Sequence, residues 1–214
     1  METKHLKVVF VIDESGSMIH AKNFVIGGIS NYITLQYVDK TGLTTISLWK
    51  FNDIPKQVIS NKTAIEIANE RVYYDYKPEG TTALLDAIGM AINATHTEYF
   101  ALSGNERPDK VLMVIITDGL ENASRKFTFS NVRALINAHE EMGWEFVFLG
   151  SNLQDFKDAD DLGIKNKAYS SRENMGDCFN SLSDSSTKYK QMKKLEEISF
   201  MADLLKDLNK TGKK

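Results

Sequence analysis

Two short apolar runs, each cut off by an oxygen-rich turn, constrain this chain more than any other feature. Residues 7–12 read KVVFVI and stop at Asp13-Glu14-Ser15-Gly16-Ser17. Residues 111–116 read VLMVII and stop at Thr117-Asp118-Gly119. Both runs carry apolar residues on both faces, which suits strands covered on both sides, as in a parallel sheet.

The segments between them alternate in period. A helical pattern follows Ser17, with Phe24, Ile29, Ile33 and Tyr37 available for one apolar face. A second strand is expected over 44–51, a turn at Asn52-Asp53-Ile54-Pro55, and an antiparallel edge strand over 56–60. After a polar stretch (62–79), Gly80-Thr81-Thr82 opens a helix whose apolar positions are Leu84, Leu85, Ile88 and Ile92. A loop over 103–109 leads into the second apolar run. A helix over about 130–142 is ended by Gly143, a strand follows over 144–149, a short helix ends near Gly163, and Ala168-Tyr169 marks a last short strand. Strands alternating with helices predict an α/β fold: a doubly wound, Rossmann-like, mostly parallel central sheet with one antiparallel edge strand and helices on both faces.

At 214 residues, against about 150 per domain, one domain is the prior. We expect it to occupy residues 1–182. Residues 183–214 are expected to form a C-terminal amphipathic helix and tail packed on the same domain. The polar patch Ser181-Leu-Ser-Asp-Ser-Ser-Thr187 stands ahead of that helix, and Tyr189, Met192, Leu195, Ile198, Met201, Leu205 and Leu208 form its stripe. The same stripe suits docking to a partner or to a second copy, so a homo-oligomer is one option. Lys210–Lys214 reads as a frayed tail.

Net charge is −3, which gives no basic field for nucleic acid or an anionic membrane. A single cysteine, Cys178, cannot close an intrachain disulfide and reads as a buried small hydrophobe. The polar start METKHLK and the absence of any apolar run near ~20 residues predict no signal peptide, no membrane helix and a cytoplasmic protein.

In an open α/β sheet, functional groups gather outside the carboxyl ends of the strands at the switch in strand order. Three joints in this chain carry oxygen donors there: Asp13-x-Ser15-x-Ser17, Gly80-Thr81-Thr82 and Thr117-Asp118-Gly119. Carboxylates and hydroxyls, without thiolate or imidazole, favour Mg²⁺, Mn²⁺ or Ca²⁺ over zinc. Neutral hydroxyls leave the site short of negative charge, so a bound dication stays electrophilic. The missing ligand is then expected to be an acidic residue of a partner protein.

D-E-S-G-S-M after an apolar strand, G-T-T-A-L-L-D-A at a helix start and I-I-T-D-G after a second apolar strand resemble the von Willebrand factor type A (vWA) domain. The resemblance runs from about residue 4 to 168, includes SLWKFND in the second strand, and keeps the motifs in the family's order. It implies a metal-ion-dependent adhesion site (MIDAS). Ser15 and Ser17 would be direct ligands, Thr82 a direct or water-mediated ligand, and Asp13 and Asp118 would bind the ion or hold its waters. Thr81 is the alternative to Thr82. Small size and the lack of disulfides are similar to the intracellular, single-domain members from bacteria and phages, which serve as adaptors.

The resemblance therefore implies a metal-dependent protein-binding module rather than an enzyme. Two alternatives stand beside it: a Mg²⁺-dependent nuclease or phosphohydrolase, and a structural subunit whose metal only stabilises the fold. Two-metal chemistry calls for three or four clustered carboxylates, whereas only Asp13 and Asp118 are well placed. Asp13, Ser15, Ser17, the two threonines and Asp118 also suit simple turns and helix caps. His20 reads as a surface residue, and His5, His96 and His139 have no ligand partners nearby in sequence. Glu14, Glu79 and Glu121 flank the three loops and set local charge or support the ligands. Trp49 and Trp144 read as core.

Overall fold

The computed structural model describes residues 4–69, 75–151, 155–170, 175–191 and 206. Six strands form one sheet: β1 (His5–Asp13), β2 (Leu43–Phe51), β3 (Lys56–Thr63), β4 (Lys110–Thr117), β5 (Trp144–Gly150) and β6 (Asn166–Tyr169). Their order is β3-β2-β1-β4-β5-β6, and every pairing is parallel except the antiparallel β2–β3 edge. The chain thus winds outward from β1 to β3, then returns to the other side of β1 as β4. That reversal puts the loops after β1 and β4 side by side at the sheet's carboxyl end.

The helices are α1 (Lys22–Val38), α2 (Ala64–Ala68), α3 (Leu84–Ala101), α4 (Phe129–Glu141), α5 (Asp155–Asp161) and α6 (Met175–Gln191), with a 3₁₀ turn (Gly16–Ala21) ahead of α1. The sheet divides the core by strand alternation. Leu6, Val8, Phe10 and Ile12 of β1 pack with the α1 and α6 residues Val25, Ile29, Tyr32 and Phe179. Val9 and Val11 pack on the other face with Leu84, Ile88, Val132 and Ile136 of α3 and α4. Trp49 and Trp144 belong to this second layer. Among the described residues no helix is long and apolar enough to cross a membrane.

Three local expectations change. The buried face of α1 is Val25, Ile29, Tyr32 and Ile33, while Phe24 and Tyr37 are 41 % and 49 % exposed. Docking of α6 sets this face: the Tyr32 ring stands edge-on to Phe10, and its hydroxyl donates to Ser186 Oγ at 2.9 Å. The polar stretch 62–79 holds the short helix α2, which starts in a reciprocal Thr63–Glu66 capping box and buries Ile67. The serine-rich patch 181–187 lies inside α6 rather than ahead of a helix.

Small side chains let α6 approach α1 closely. Ser183, Ser185 and Ser186 are buried there, and Gly28 of α1 leaves the space that the Phe179 ring occupies. At the end of α6, Lys190 is fully buried and donates to Asp39, to Gln36 Oε1 at 3.3 Å and to Thr44 Oγ1 at 2.9 Å. Tyr189 is also buried on α6. The remaining stripe residues, Met192, Leu195, Ile198, Met201, Leu205 and Leu208, and the tail at 210–214 lie outside the described residues.

Candidate metal centre

The first loop leaves β1 at Asp13, which is wholly buried. Its Oδ1 accepts the Ser15 amide at 2.7 Å, folding the chain back so that Ser15 and Ser17 stand with their hydroxyls 3.1 Å apart. The second Asp13 oxygen accepts the Thr117 hydroxyl from the end of β4 at 2.6 Å. Ser17 donates its hydroxyl to Asp118 Oδ1. Two strand ends about 100 residues apart in sequence are therefore stitched through the candidate ligands themselves.

The third segment is held from both sides. The Thr82 amide donates to Asn122 Oδ1 at 2.9 Å, and the Asn122 amide returns to the Thr82 carbonyl at 3.1 Å. Around it, Glu121 accepts the Leu85 amide and Asp86 accepts the amides of Arg125, Lys126 and Phe127. Burial pushes the Asp86 carboxyl up, but these donors outweigh it and hold it below the ordinary carboxylate value. Thr82 is thereby fixed at the head of α3 with 3 % exposure. Thr81 is exposed and turned away, its amide and hydroxyl both donating to Asp53 Oδ1.

Gly119 marks the centre of this arrangement. A Cβ added there would stand 3.1 Å from Thr82 Oγ1, 3.6 Å from Ser17 Oγ and 3.7 Å from Asp13 Oδ2. Oxygens from the first two loops thus lie within 4 Å of a point on the third, and glycine there leaves that cradle open. Asp118, from the same loop, reaches it through Ser17. Of the five candidate ligands, Asp13, Ser15 and Thr82 are buried, Asp118 is half-buried, and Ser17 faces outward. His20 is exposed.

Burial pushes the Asp13 carboxyl up to about 6, against the Thr117 and Ser15 hydrogen bonds, and the nearby Asp118 charge adds to the rise. Two carboxylates among hydroxyls are a poor environment for their own charge and a good one for a dication. Among the described residues no group of three or more His, Cys, Asp or Glu side chains forms a metal cluster. The donor set is hydroxyl-rich and oxygen-only, which fits a hard cation.

Sequence reasoning missed three supports. Thr117 was visible inside its TDG motif, but its bond to Asp13 depends on strand order. Asn122 lies five residues past Thr117 in the loop before α4, with no pattern to single it out. Tyr76, buried in an otherwise polar stretch, donates its hydroxyl to the Asp13 carbonyl.

The fold recurs in solved structures. The vWF domain of the type V pili tip protein Mfa5 from Porphyromonas gingivalis matches with a TM-score of 0.68 at 13 % identity, covering 90 % of this chain and 98 % of that one. The pilus adhesin SpaC from Lactobacillus rhamnosus GG matches with a TM-score of 0.66 at 13 % identity, over 88 % of this chain and 31 % of SpaC. A von Willebrand factor type A protein from Catenulispora acidiphila gives 0.62 at 14 % identity, over 86 % of this chain and 43 % of that one. This chain therefore spans less than half of each of the latter two. No curated protein matches it. The model of the von Willebrand factor type A domain matches residues 7–195, from the first residues of β1 past the end of α6. With that match over nearly the whole sheet and its helices, the chain belongs to the von Willebrand factor type A domain family.

Proposed function

We propose that this chain is a metal-dependent protein-binding module, an adaptor in which a divalent cation recruits an acidic side chain of a partner. The ion is Mg²⁺, or Mn²⁺ or Ca²⁺ in its place. Ser15, Ser17 and Thr82 would hold it through their hydroxyls, with Asp13 and Asp118 binding it or its waters. A cation held this way supplies an electrophilic position that accepts a carboxylate oxygen. The protein's own part is to keep three neutral donors and two carboxylates in one cradle, so that the site stays short of negative charge.

The observation that carries this reading is the convergence of Asp13, Ser17 and Thr82 oxygens on the opening left by Gly119. Family membership supports it at the coarser level of an interaction module. The pilus adhesin and the pili tip protein among the structural neighbours are consistent with adhesion as the theme.

The test is affinity capture of a partner by the tagged chain from its host lysate, in Mg²⁺, in EDTA, and with Asp13→Ala. A partner held only with metal and an intact Asp13 is the expected result. A partner held equally in all three moves the interaction away from the cradle. Isothermal titration with Mg²⁺ and Mn²⁺ runs beside it, and a chain that binds neither ion sinks the reading.

A further inference from the structure

We propose that Glu14 and Lys50 are positioning residues for the cation: their ion pair latches residues 75–80 across the Asp13–Ser17 loop and so sets where Thr82 stands. The inference rests on the metal-site reading above.

Residues 75–83 have neither helix nor strand, yet they deliver Thr82 to the cradle. Their path is fixed by bonds to the first loop. Lys50 Nζ donates to Glu14 Oε1 at 3.0 Å and to the Asp75 carbonyl at 2.6 Å. The Lys77 amide donates to the same Glu14 oxygen, and the Glu79 amide donates to the Glu14 carbonyl at 2.9 Å. The Gly16 amide donates to the Gly80 carbonyl at 3.2 Å, two residues before Thr82. From the other side, the Glu14 amide donates to Phe51 O at 2.6 Å, anchoring the loop to the end of β2. Glu14 is thus the hub where β2, the first metal loop and the strap meet.

The Glu14 and Lys50 side chains are 14 % and 10 % exposed. At that depth water competes little for their hydrogen bonds, so the Glu14 oxygen and the Lys50 ammonium hold the strap rather than decorate the surface. Lys50→Met removes the bond to the Asp75 carbonyl, and Glu14→Ala removes the bond to the Lys77 amide and the seat of Lys50. Either leaves the strap held by its backbone bonds at Glu79 and Gly80 and loosens the placement of Thr82 against Ser17 and Asp13. Groups that orient metal ligands typically change affinity by 10- to 100-fold when lost.

Charge and positioning make opposite forecasts here, which gives the test its power. Through-space electrostatics says that Lys50→Met, which removes a positive charge, tightens cation binding. It also says that Glu14→Gln, which removes a negative charge, weakens it. Positioning reverses both. Lys50→Met loses the latch and weakens binding. Glu14→Gln preserves it, because the new amide oxygen still accepts from Lys77 and Lys50.

The experiment measures Mn²⁺ affinity on the full chain, from the electron paramagnetic resonance signal of free Mn²⁺. Wild type, Glu14→Ala, Glu14→Gln and Lys50→Met are compared well below their melting temperatures, with Glu140→Ala of the distant α4 as control. Binding weakened roughly 10-fold or more in Glu14→Ala and Lys50→Met, with Glu14→Gln and the control near wild type, is the expected result. Variants that melt earlier but bind Mn²⁺ as wild type does would show a purely structural pair and overturn the inference. Tighter binding by Lys50→Met, or a loss in Glu14→Gln as large as in Glu14→Ala, overturns it in favour of charge. Should Glu14→Ala not fold, Lys50→Met against wild type decides. A wild-type chain that binds no Mn²⁺ fails the metal reading itself and takes the inference with it.

Discussion

Two sparingly exposed carboxylates, at opposite ends of the sheet, are completed in different ways. Asp39 stands near the amino end of β2, its side chain 7 % exposed against the buried Lys190 ammonium. Burial pushes it up, but the Lys190 bond and charge, with the Thr41 amide and hydroxyl, hold it below the usual carboxylate range. Asp13 stands at the carboxyl end of β1 with no exposure, facing hydroxyls, an amide and a second carboxylate, and is pushed up to about 6. The first has its cation supplied by α6. The second has no cation supplied by the chain among the bonds described, and on the proposed metal reading its counter-charge comes from solution. A buried charge that the chain does not compensate is a standing cost, and sites where proteins keep such a cost are sites where something binds.

The largest effect that separates the two corners is loss of the Asp39 carboxylate. Asp39→Ala leaves the Lys190 ammonium buried beside Gln36 and Thr44 alone, and we expect a loss of about 3–5 kcal/mol in urea unfolding. A loss below ~1 kcal/mol would show that Lys190 escapes to solvent and that α6 is loosely held. On the proposed metal reading, the cradle responds to an ion instead. At Mg²⁺ one hundred times its dissociation constant, the folded state gains about 2.7 kcal/mol, seen as a rise in melting temperature that EDTA reverses. Asp118→Ala should abolish that rise while leaving the circular dichroism of the α/β fold in place. A metal-free wild type that is unfolded would contradict this and make the ion structural.

Acid sharpens the comparison further. Asp39 lies below its unfolded value of ~3.9, so its contribution is complete above that pH and is lost as pH falls through its folded value. The stability difference between wild type and Asp39→Asn should therefore stay flat from neutral pH to about 5, then shrink below about 4. A difference that grows on acidification would mean the pair is not formed.

How much of this was legible in the sequence follows the range of the interactions involved. The strands of β1 and β4 announce themselves because burial on both faces leaves a continuous apolar run. Asp13 and Asp118 stand where those runs stop, so the strand order alone places them together. The serines of α6 misled because their polarity suits a loop. The Ser186 and Ser183 hydroxyls accept from Tyr32 and Gln36, about 150 residues away, and no local pattern records that. The face of α1 was misplaced for the same reason: α6 decides which side is covered. Thr82 was separable from Thr81 by helix register, whereas Asn122 and Tyr76, which hold the site in place, carry no motif. The candidate ligands fall at the ends of strands or the head of a helix, in short motifs, while their supports are fixed only by tertiary contact.

The smallest expected effect is the most telling about Asp13. If its carboxylate is an uncompensated charge, neutralising it should not harm the metal-free fold. Asp13→Asn keeps an oxygen for the Ser15 amide, and the new amide nitrogen can donate to the Thr117 hydroxyl. A shift from ~3.9 to about 6 sets a ceiling of roughly 3 kcal/mol on the relief at neutral pH. Reorientation of Thr117, whose hydroxyl also serves the Gly119 amide and carbonyl, offsets part of it. We expect Asp13→Asn in EDTA to be about 1 kcal/mol more stable than wild type in urea unfolding, while its response to Mg²⁺ disappears. Asp39→Asn, by contrast, should lose stability with or without Mg²⁺. If Asp13→Asn destabilises the metal-free chain as Asp39→Asn does, Asp13 belongs to the structural network of the sheet end rather than to a site that waits for a cation.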